Sequence, residues 1–237
     1  MIVVTTPTGT IGQQVLENLL NSGEPIRVIA RDLARLPSQM RKRVEVVQGS
    51  HGDIDVVTKA FKGADSVFWL VPPDIRAHSV MAAYLDFTRP ACDALRSQRV
   101  KRVVGVSALG RGWPKNAGLV SASLAMDDLI ASTGVSYRAL TMPSFMDNIL
   151  RQVEAIKNQG MLFSPISGDR KLPTCATRTS PTLPPSCCSI LPGADRAASQ
   201  SSVPRICPST IWRKSCPRCW ENQCASSKFP LRPLKPG

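Results

Sequence analysis

The sequence has few of the side chains that carry acid–base or nucleophilic chemistry. Its 237 residues include two histidines and two tyrosines, and aromatic residues make up 5% of the chain. His51 and His78 are isolated, and no nucleophile elbow accompanies them, which argues against a Ser-His-Asp hydrolase. Tyr84 falls in a predicted helix and Tyr137 in a predicted strand, so we interpret both as packing residues.

Long apolar runs and clusters of one charge are also missing. No apolar stretch reaches the roughly 18 residues that a membrane-spanning helix needs, and residues 1–4 lack the basic segment of a signal peptide. Acidic residues number 17 against 30 Lys and Arg, but the longest basic run is Arg41-Lys42-Arg43. We therefore expect a cytoplasmic protein whose partner is a small molecule, with no role for nucleic acid or membrane.

The composition changes after Arg178. Of the eight cysteines six lie in residues 179–237, and so do ten of the 20 prolines. No apolar repeat typical of a helix or strand continues there. The chain is therefore predicted to divide into a folded domain over residues 1–178 and an irregular or disordered tail over residues 179–237, rich in Pro, Cys, Ser and Arg.

Within residues 1–178, short β-branched runs alternate with helical stretches. The predicted strands cover 2–5, 26–30, 44–48, 66–71, 102–106 and 136–141, and the predicted helices cover 11–22, 77–97 and 121–132. Pro90 must start, kink or divide the second of these helices. Near-continuous apolar strands are typical of a parallel sheet buried on both faces. The predicted fold class is α/β, a doubly wound parallel sheet of the Rossmann type.

The turn after the first strand predicts a dinucleotide site. It reads Thr6-Pro7-Thr8-Gly9-Thr10-Ile11-Gly12 and opens the first helix. Gly9 lets the backbone approach a pyrophosphate, Gly12 lets the helix pack closely, and the helix N-terminus offers free N–H groups to phosphate. Thr8 and Thr10 add hydroxyl donors.

The end of the second strand predicts which nucleotide binds. An acidic residue at this position holds the ribose hydroxyls of NAD, whereas an arginine accommodates the 2′-phosphate of NADP. Arg31 follows the strand directly and Arg35 lies one helical turn later, which favours NADP(H) over NAD(H). We interpret Asp32 as the cap of the following turn.

Five segments in order resemble the NmrA-like branch of the atypical short-chain dehydrogenase/reductase family. They are MIVVTTPTGTIG, VIARD, VFWLVPP, KRVVGVSA and YRALTMPSFMDNIL. Within that branch the chain is most similar to the NAD(P)H-dependent quinone and azo reductases. The resemblance covers residues 1–178 and depends on the order of the segments rather than on one motif.

The resemblance implies further site residues. Thr6, Gly9 and Gly12 occupy the three glycine positions of the family's GxxGxxG turn, and because Thr6 has a Cβ we expect the turn to hold it at φ below zero. The other implied cofactor contacts are Leu70, Val71 and Pro72 beside the adenosine and pyrophosphate, Ser107 near the nicotinamide, and Pro143. The implied substrate-pocket residues are Phe145, Met146 and Asn148.

The family's chemistry implies hydride transfer from NAD(P)H to a quinone or azo acceptor. The helix before the last strand has no Tyr-x-x-x-Lys pair, which disfavours alcohol–ketone chemistry, and we interpret Asp127 and Asp128 as solvated charges. We therefore name no catalytic residue. Two other functions fit the same residues: a non-catalytic, NADP-sensing NmrA-like regulator, and a truncated, inactive remnant.

The tail has two functional interpretations and one that needs no function. Cys216 and Cys219 have the CxxC spacing of zinc ligands, and a disulfide scaffold is the alternative that a cytoplasmic setting disfavours. In the related family, the segment that resembles residues 168–178 of this chain continues as Asp-Ile-Ala. The codons ACA TCG CCG AC for residues 179–182 give Asp-Ile-Ala-Asp when one G precedes them. We therefore favour an out-of-frame tail and assign no metal site.

Overall fold

The computed structural model describes residues 1–72, 74, 76–113, 116–164 and 173–177. Within these ranges the chain divides into two compact units, the larger with residues 1–147 and 174–177 and the smaller with residues 148–164 and 173. The predicted tail, its cysteines and its reading frame lie outside the described residues. The boundary at residue 178 stays a prediction.

Six parallel strands form the sheet of the larger unit, in the order β3-β2-β1-β4-β5-β6. The strands are β1 Ile2–Thr5, β2 Ile26–Ala30, β3 Glu45–Gln48, β4 Ser66–Trp69, β5 Arg102–Ala108 and β6 Ser136–Met142. The order reverses between β1 and β4, which opens a crevice at the carboxyl ends of these two strands. The predicted doubly wound α/β fold is confirmed.

Helices cover both faces of this sheet. The main helices are α1 Thr10–Leu20, α3 Ile54–Phe61, α4 Val80–Ser97 and α5 Leu119–Ala131, with a 3-10 turn at Leu33–Arg35 and a single turn, α2, at Ser38–Arg41. Side chains of α3, α4 and α5 pack in one core cluster against the sheet, and those of α1 pack in the other. No described helix is long and apolar enough to cross a membrane.

The structure adds helix α3 to those predicted and narrows the predicted effect of Pro90. Helix α3 was not predicted, although Asp53 caps its first turn through hydrogen bonds from Asp55 and Val56 and Val57 and Phe61 form a buried face four residues apart. Pro90 neither starts nor divides α4, which runs continuously past it. The six strands lie within three residues of their predicted ends.

Chain segments after β6 form smaller elements. Strand β7, Ser144–Phe145, pairs in parallel with β8, Thr174–Cys175. Asp147 accepts hydrogen bonds from the backbone N–H and the hydroxyl of Thr177, at 3.0 and 2.8 Å. Helix α6 covers Asp147–Leu150, and the smaller unit holds helix α7, Val153–Gln159.

Arg27 provides a test of how β2 is joined to α3. Its side chain is 10% exposed, and its Nη1 donates to the carbonyls of Ala60 and Lys62 at 2.6 and 2.7 Å, where α3 ends. Arg27→Met keeps most of the buried stem but leaves these carbonyls without their donor. We expect the free energy of unfolding, measured in urea, to fall by about 1–3 kcal/mol.

The salt bridge of Arg27 serves as the control. Its Nη2 lies 2.9 Å from a carboxylate oxygen of Glu45, whose side chain is 54% exposed. Because water screens such a pair, Glu45→Gln is expected to cost less than about 1 kcal/mol. Equal losses in the two variants would contradict the capping role of Arg27.

Candidate functional site

The turn between β1 and α1 presents unpaired backbone donors at the crevice. The N–H of Gly9 donates to the carbonyl of Thr6 at 3.1 Å, which closes the turn. Gly9 then begins α1 as its N-cap, and no side chain caps the helix there. The first N–H groups of a helix have no partner within it, so those of Thr10, Ile11 and Gly12 are available to an anion.

Thr6 has the opposite backbone conformation to the one predicted. Its φ is 53°, in the left-handed region that a β-branched residue rarely adopts. The expectation of a negative φ is therefore wrong. A hydrogen bond from the Thr6 hydroxyl to the Leu70 carbonyl, 2.9 Å long, helps to hold this conformation and to offset a strain of about 1–2 kcal/mol.

Gly12 packs directly against this turn. A Cβ built on Gly12 would lie 2.0 Å from the carbonyl oxygen of Thr6 and 3.3 Å from the Cα of Pro7. Both atoms belong to the backbone, so neither can move without displacing the turn or the helix. Position 12 therefore accepts only glycine while the turn keeps this shape.

The carbonyl of Leu70 joins the ends of β1 and β4. It accepts hydrogen bonds from the Thr6 hydroxyl and from Nε2 of His51, at 2.9 and 3.0 Å, while the N–H of Leu70 donates to the Thr5 hydroxyl at 2.9 Å. Because a carbonyl only accepts, Nε2 of His51 must carry the ring proton. Leu70 thus holds the β1–α1 turn in place.

His51 is a buried, neutral histidine. Its ring lies edge-on to Trp69 and Phe87, with centroids 5.2 and 4.7 Å apart. Burial lowers the pKa of His51 to about 4, and the positive charge of Arg31 lowers it further, while the hydrogen bond to Leu70 opposes the shift. Sequence analysis missed this role because the three partners are distant in the chain.

A cleft of about 420 Å³ opens beside His51, at the carboxyl ends of β2 and β4. It is lined by Arg31, Ser50, His51, Pro72, Asp74, Arg76 and Phe87. Val71 is buried beside it. Among the predicted cofactor contacts, Arg31 and Pro72 therefore share one cleft.

The charge in this cleft comes mainly from two guanidinium groups. Arg31 is exposed directly after β2, and Arg76 pairs with Asp74 at 3.3 Å. Hydrogen bonds from Arg76, with the charges of Arg76 and Arg31, lower the pKa of Asp74. Asp32 accepts from the N–H of Ala34 at 2.9 Å, which confirms it as a cap and leaves Arg31 as the first charged side chain after β2.

Ser107, predicted near the nicotinamide, lies at the carboxyl edge of the same sheet, in the strand β5 on the other side of β4 from β1 and β2. It is the residue before the last one of β5. The neighbouring strand β4 ends at Trp69, directly before Leu70. Its hydroxyl donates to Oδ2 of Asp127 at 2.5 Å, and Oδ1 of Asp127 accepts from the Tyr137 hydroxyl at 2.6 Å. Ser107, Asp127 and Tyr137 are called the carboxyl cluster below.

The carboxyl cluster corrects two sequence interpretations. Asp127 is 2% exposed, not solvated, whereas the adjacent Asp128 is 67% exposed in its side chain. Tyr137 packs against the core as predicted, but its hydroxyl also bonds to Asp127. A Cβ on Gly105 would lie 2.3 Å from that hydroxyl, so Gly105 makes the space for the tyrosine to reach the carboxylate.

The predicted substrate-pocket residues follow β6. Pro143 precedes β7, Phe145 is half-buried within it, and Met146 is 40% exposed. Asn148 belongs to the smaller unit, where Leu162 and Phe163 are 38% and 58% exposed. These assignments stay predictions, since the described contacts of these side chains do not identify a ligand.

The sequence profile of the NAD(P)H-binding family matches residues 7–170. The chain belongs to this family. The match begins inside the glycine turn and continues beyond β7, so it includes the edge of the sheet described above. It agrees with the NAD(P)H-binding fold that the sequence predicted.

Three characterised relatives match most of the described chain. A (4-alkanoyl-5-oxo-2,5-dihydrofuran-3-yl)methyl phosphate reductase of Streptomyces griseus is 27% identical over 68% of this chain and 54% of its own length. Quinone oxidoreductase 2 of Escherichia coli is 23% identical over 75% and 60%, and an NAD(P)H azoreductase of Xenophilus azovorans is 25% identical over 70% and 56%. The matched segment spans little more than half of each relative.

Solved structures show the same fold. The Escherichia coli NADPH-dependent quinone oxidoreductase in complex with NADPH is 22% identical, with a TM-score of 0.57 over 68% of this chain and 55% of the other. The Citrobacter triphenylmethane reductase in complex with NADP(H) is 22% identical, with a TM-score of 0.54 over 62% and 51%. At this identity the likeness supports the fold alone.

Proposed function

We propose that this chain binds NADPH along the carboxyl edge of its sheet and passes a hydride to a quinone- or azo-type acceptor. The observation that carries the proposal is the β1–α1 turn at the crevice between β1 and β4. It combines an uncapped helix N-terminus with a close approach of Gly12 to Thr6. The free N–H groups suit a pyrophosphate, and the close packing of Gly12 on the turn fixes the start of the helix that presents them.

The residues at this edge fit the two halves of a dinucleotide. The cleft beside Arg31 and Pro72 has room for the adenosine half, and Ser107 and Pro143 lie beyond β4, where the nicotinamide half would extend. When bound, NADPH supplies the hydride, while the protein binds and orients it. The residues assigned to the pyrophosphate are Thr6, Thr8, Gly9, Thr10, Ile11 and Gly12, and Leu70 and Val71 are assigned to the segment alongside.

The proposed acceptor depends on two observations, the residues of helix α5 and the activities for which two of the relatives are named. Helix α5 contains no tyrosine and no lysine, the pair that reduction of a ketone would use. Quinones and azo compounds accept a hydride with less help from the protein, and two of the relatives are named as reductases of such compounds. We therefore propose a quinone or azo acceptor in preference to a ketone.

Binding and turnover are tested separately on the full chain. NADPH fluorescence is titrated first, and oxidation of NADPH is then followed with a panel of quinones and azo dyes. Saturable binding with acceptor-dependent oxidation is the expected result. Binding without oxidation would instead support the nucleotide-sensing regulator, and absence of binding would support the inactive remnant.

Arg31 is expected to set the preference for NADPH over NADH. Replacing its guanidinium removes one charge-assisted contact with the 2′-phosphate, worth about 1.5–3 kcal/mol. We therefore expect Arg31→Ala to raise the Kd for NADPH by about 10- to 100-fold and to leave the Kd for NADH nearly unchanged. Fluorescence titration of both nucleotides provides the measurement.

Arg41→Ala is the matched control, because Arg41 is an exposed arginine of α2 that does not line the cleft. It removes the same net charge from the protein. If Arg41→Ala weakened NADPH binding as much as Arg31→Ala, the effect would come from overall charge and not from a 2′-phosphate contact.

A further inference from the structure

The carboxyl cluster contains a buried acid that the proposed function has not used. Asp127 of α5 receives a hydrogen bond from Ser107 of β5 and another from Tyr137 of β6. The other charged groups facing it are Arg111, whose Nη2 is 3.7 Å from Oδ2, and Asp128, which pairs with the same guanidinium at 2.9 Å. Two strands and a helix therefore converge on one carboxyl group.

The protonation state of Asp127 decides where the Ser107 proton points. Burial raises the pKa of Asp127, although the hydrogen bonds of Ser107 and Tyr137 and the charge of Arg111 lower it. Burial and the nearby carboxylate raise the pKa of Tyr137 well above its usual value. Tyr137 is thus a permanent donor to Oδ1, and only Oδ2 changes its role on titration.

The two protonation states of Asp127 give two hydrogen-bond patterns around the Ser107 hydroxyl. With Asp127 ionised, the Ser107 hydroxyl must donate inward to Oδ2, which lies 2.5 Å from Oγ, because a carboxylate only accepts. With Asp127 protonated, the Oδ2 hydroxyl donates to Oγ of Ser107, which also receives the Ser123 hydroxyl at 3.5 Å. Because both inward partners then donate to it, the Ser107 proton has to point away from the cluster.

The direction of the Ser107 hydroxyl matters because of where Ser107 lies in the sheet. It lies next to the last residue of β5, at the carboxyl edge that also holds the glycine turn and the end of β4. Ligands of doubly wound sheets bind outside this edge. Ser107 is 5% exposed, and in the proposal below its outward hydroxyl is directed to the reacting half of the cofactor and its acceptor, which were assigned above to this edge.

We propose that Asp127 is a positioning residue that turns the Ser107 hydroxyl outward and replaces the proton that Ser107 gives to the reduced acceptor. The proposal rests on the proposed function. Hydride arriving from NADPH leaves the acceptor with an electron pair on oxygen or nitrogen. Ser107 Oγ–H gives its proton to that atom, the Oδ2 proton of Asp127 moves to Oγ, and the resulting carboxylate regains a proton from water.

The first test does not depend on turnover. The carboxyl carbon of Asp127 is followed by carbon-13 NMR through a pH titration of the nucleotide-free protein. We expect a pKa above the ordinary 3.8, and a further rise in Ser107→Ala, because that variant loses a donor to the carboxylate. A carboxyl group that titrates at its ordinary value and does not respond to Ser107→Ala would overturn the proposal.

The second test is the pH profile of acceptor reduction. In the wild type the rate should fall as the pH rises through the pKa of Asp127, since the ionised carboxylate draws the Ser107 proton inward. Asp127→Asn should give a flat profile, because its amide N–H can donate to Oγ at every pH. Ser107→Ala should lose about 100-fold in rate below the pKa of Asp127, where the wild-type hydroxyl points outward, and should approach the wild-type rate above it.

Asp128→Asn provides the matched control. It removes an exposed carboxylate one residue away, whose charge helps to raise the pKa of Asp127. The variant should therefore keep a rate that falls with pH, with the fall moved to lower pH. An Asp127→Asn profile like that of the wild type would overturn the proposal. NADPH binding without any acceptor reduction would instead refute the proposed function, while the NMR titration would still decide whether Asp127 and Ser107 are coupled.

Discussion

Gly12→Ala is expected to weaken NADPH binding strongly and to destabilise the fold. The added Cβ would lie 2.0 Å from the Thr6 carbonyl oxygen, so either the turn or the start of α1 has to move. Overpacking of this kind typically costs about 1–3 kcal/mol. We expect a Kd for NADPH at least about 100-fold higher, measured by fluorescence, together with a lower midpoint of urea unfolding.

Gly9→Ala separates the effect on NADPH binding from the effect on stability. Gly9 has an ordinary φ of −88°, and a Cβ there would lie 3.2 Å from the Thr6 methyl group and 3.5 Å from the Thr6 carbonyl oxygen. We expect this variant to keep nearly the wild-type stability while weakening NADPH binding, since the extra methyl group lies where the pyrophosphate should approach. If Gly12→Ala bound NADPH like the wild type, the β1–α1 turn would not be the nucleotide site.

Acid is expected to destabilise the larger unit through His51. Burial holds the pKa of His51 at about 4 in the folded protein, whereas the unfolded chain has a pKa near 6.5. Above pH 6.5 both states are neutral, and the stabilisation by the neutral ring is fully present. Between pH 6.5 and 4 only the unfolded state takes up the proton, so about 3 kcal/mol of stability is lost as the pH falls through this window.

The free energy of unfolding, measured in urea at a series of pH values, tests this loss. His51→Gln should be less stable at pH 7 but should lose little more between pH 6.5 and 4. His78→Gln, which changes an exposed histidine, should follow the wild type. The role of His51 would be refuted if wild type and His51→Gln lost the same free energy across this window.

The architecture of the sheet was predictable because its signals are local. Each strand is a short apolar run, and β1 and β2 were placed at their observed ends. Helix α3 also had a local signal, since Asp53 precedes Val57 and Phe61 at helical spacing, but it lies in a short segment between two strands. The close packing of Gly12 followed from its position after the first strand.

The chemistry of the site was less predictable because it depends on distant residues. Asp127 and Asp128 are neighbours of the same type, and which of them is buried depends on Tyr137 and Gly105 in two different strands. The left-handed conformation of Thr6 depends in part on a hydroxyl contact with Leu70, 64 residues away. Neither pattern can be recognised from a window of sequence.

The hydrogen bond from the Thr6 hydroxyl to the Leu70 carbonyl also constrains the order in which the protein can fold. Strands β1, β2 and β3 are neighbours in the sheet and are complete by Gln48, so they can pair while later residues are still being synthesised. Strand β4 must return across about 60 residues to reach β1, a closure that costs chain entropy. Until it arrives, Thr6 lacks the partner that helps to offset its strained backbone. The turn at residues 6–12 therefore acquires the shape described above only after Leu70 has been made.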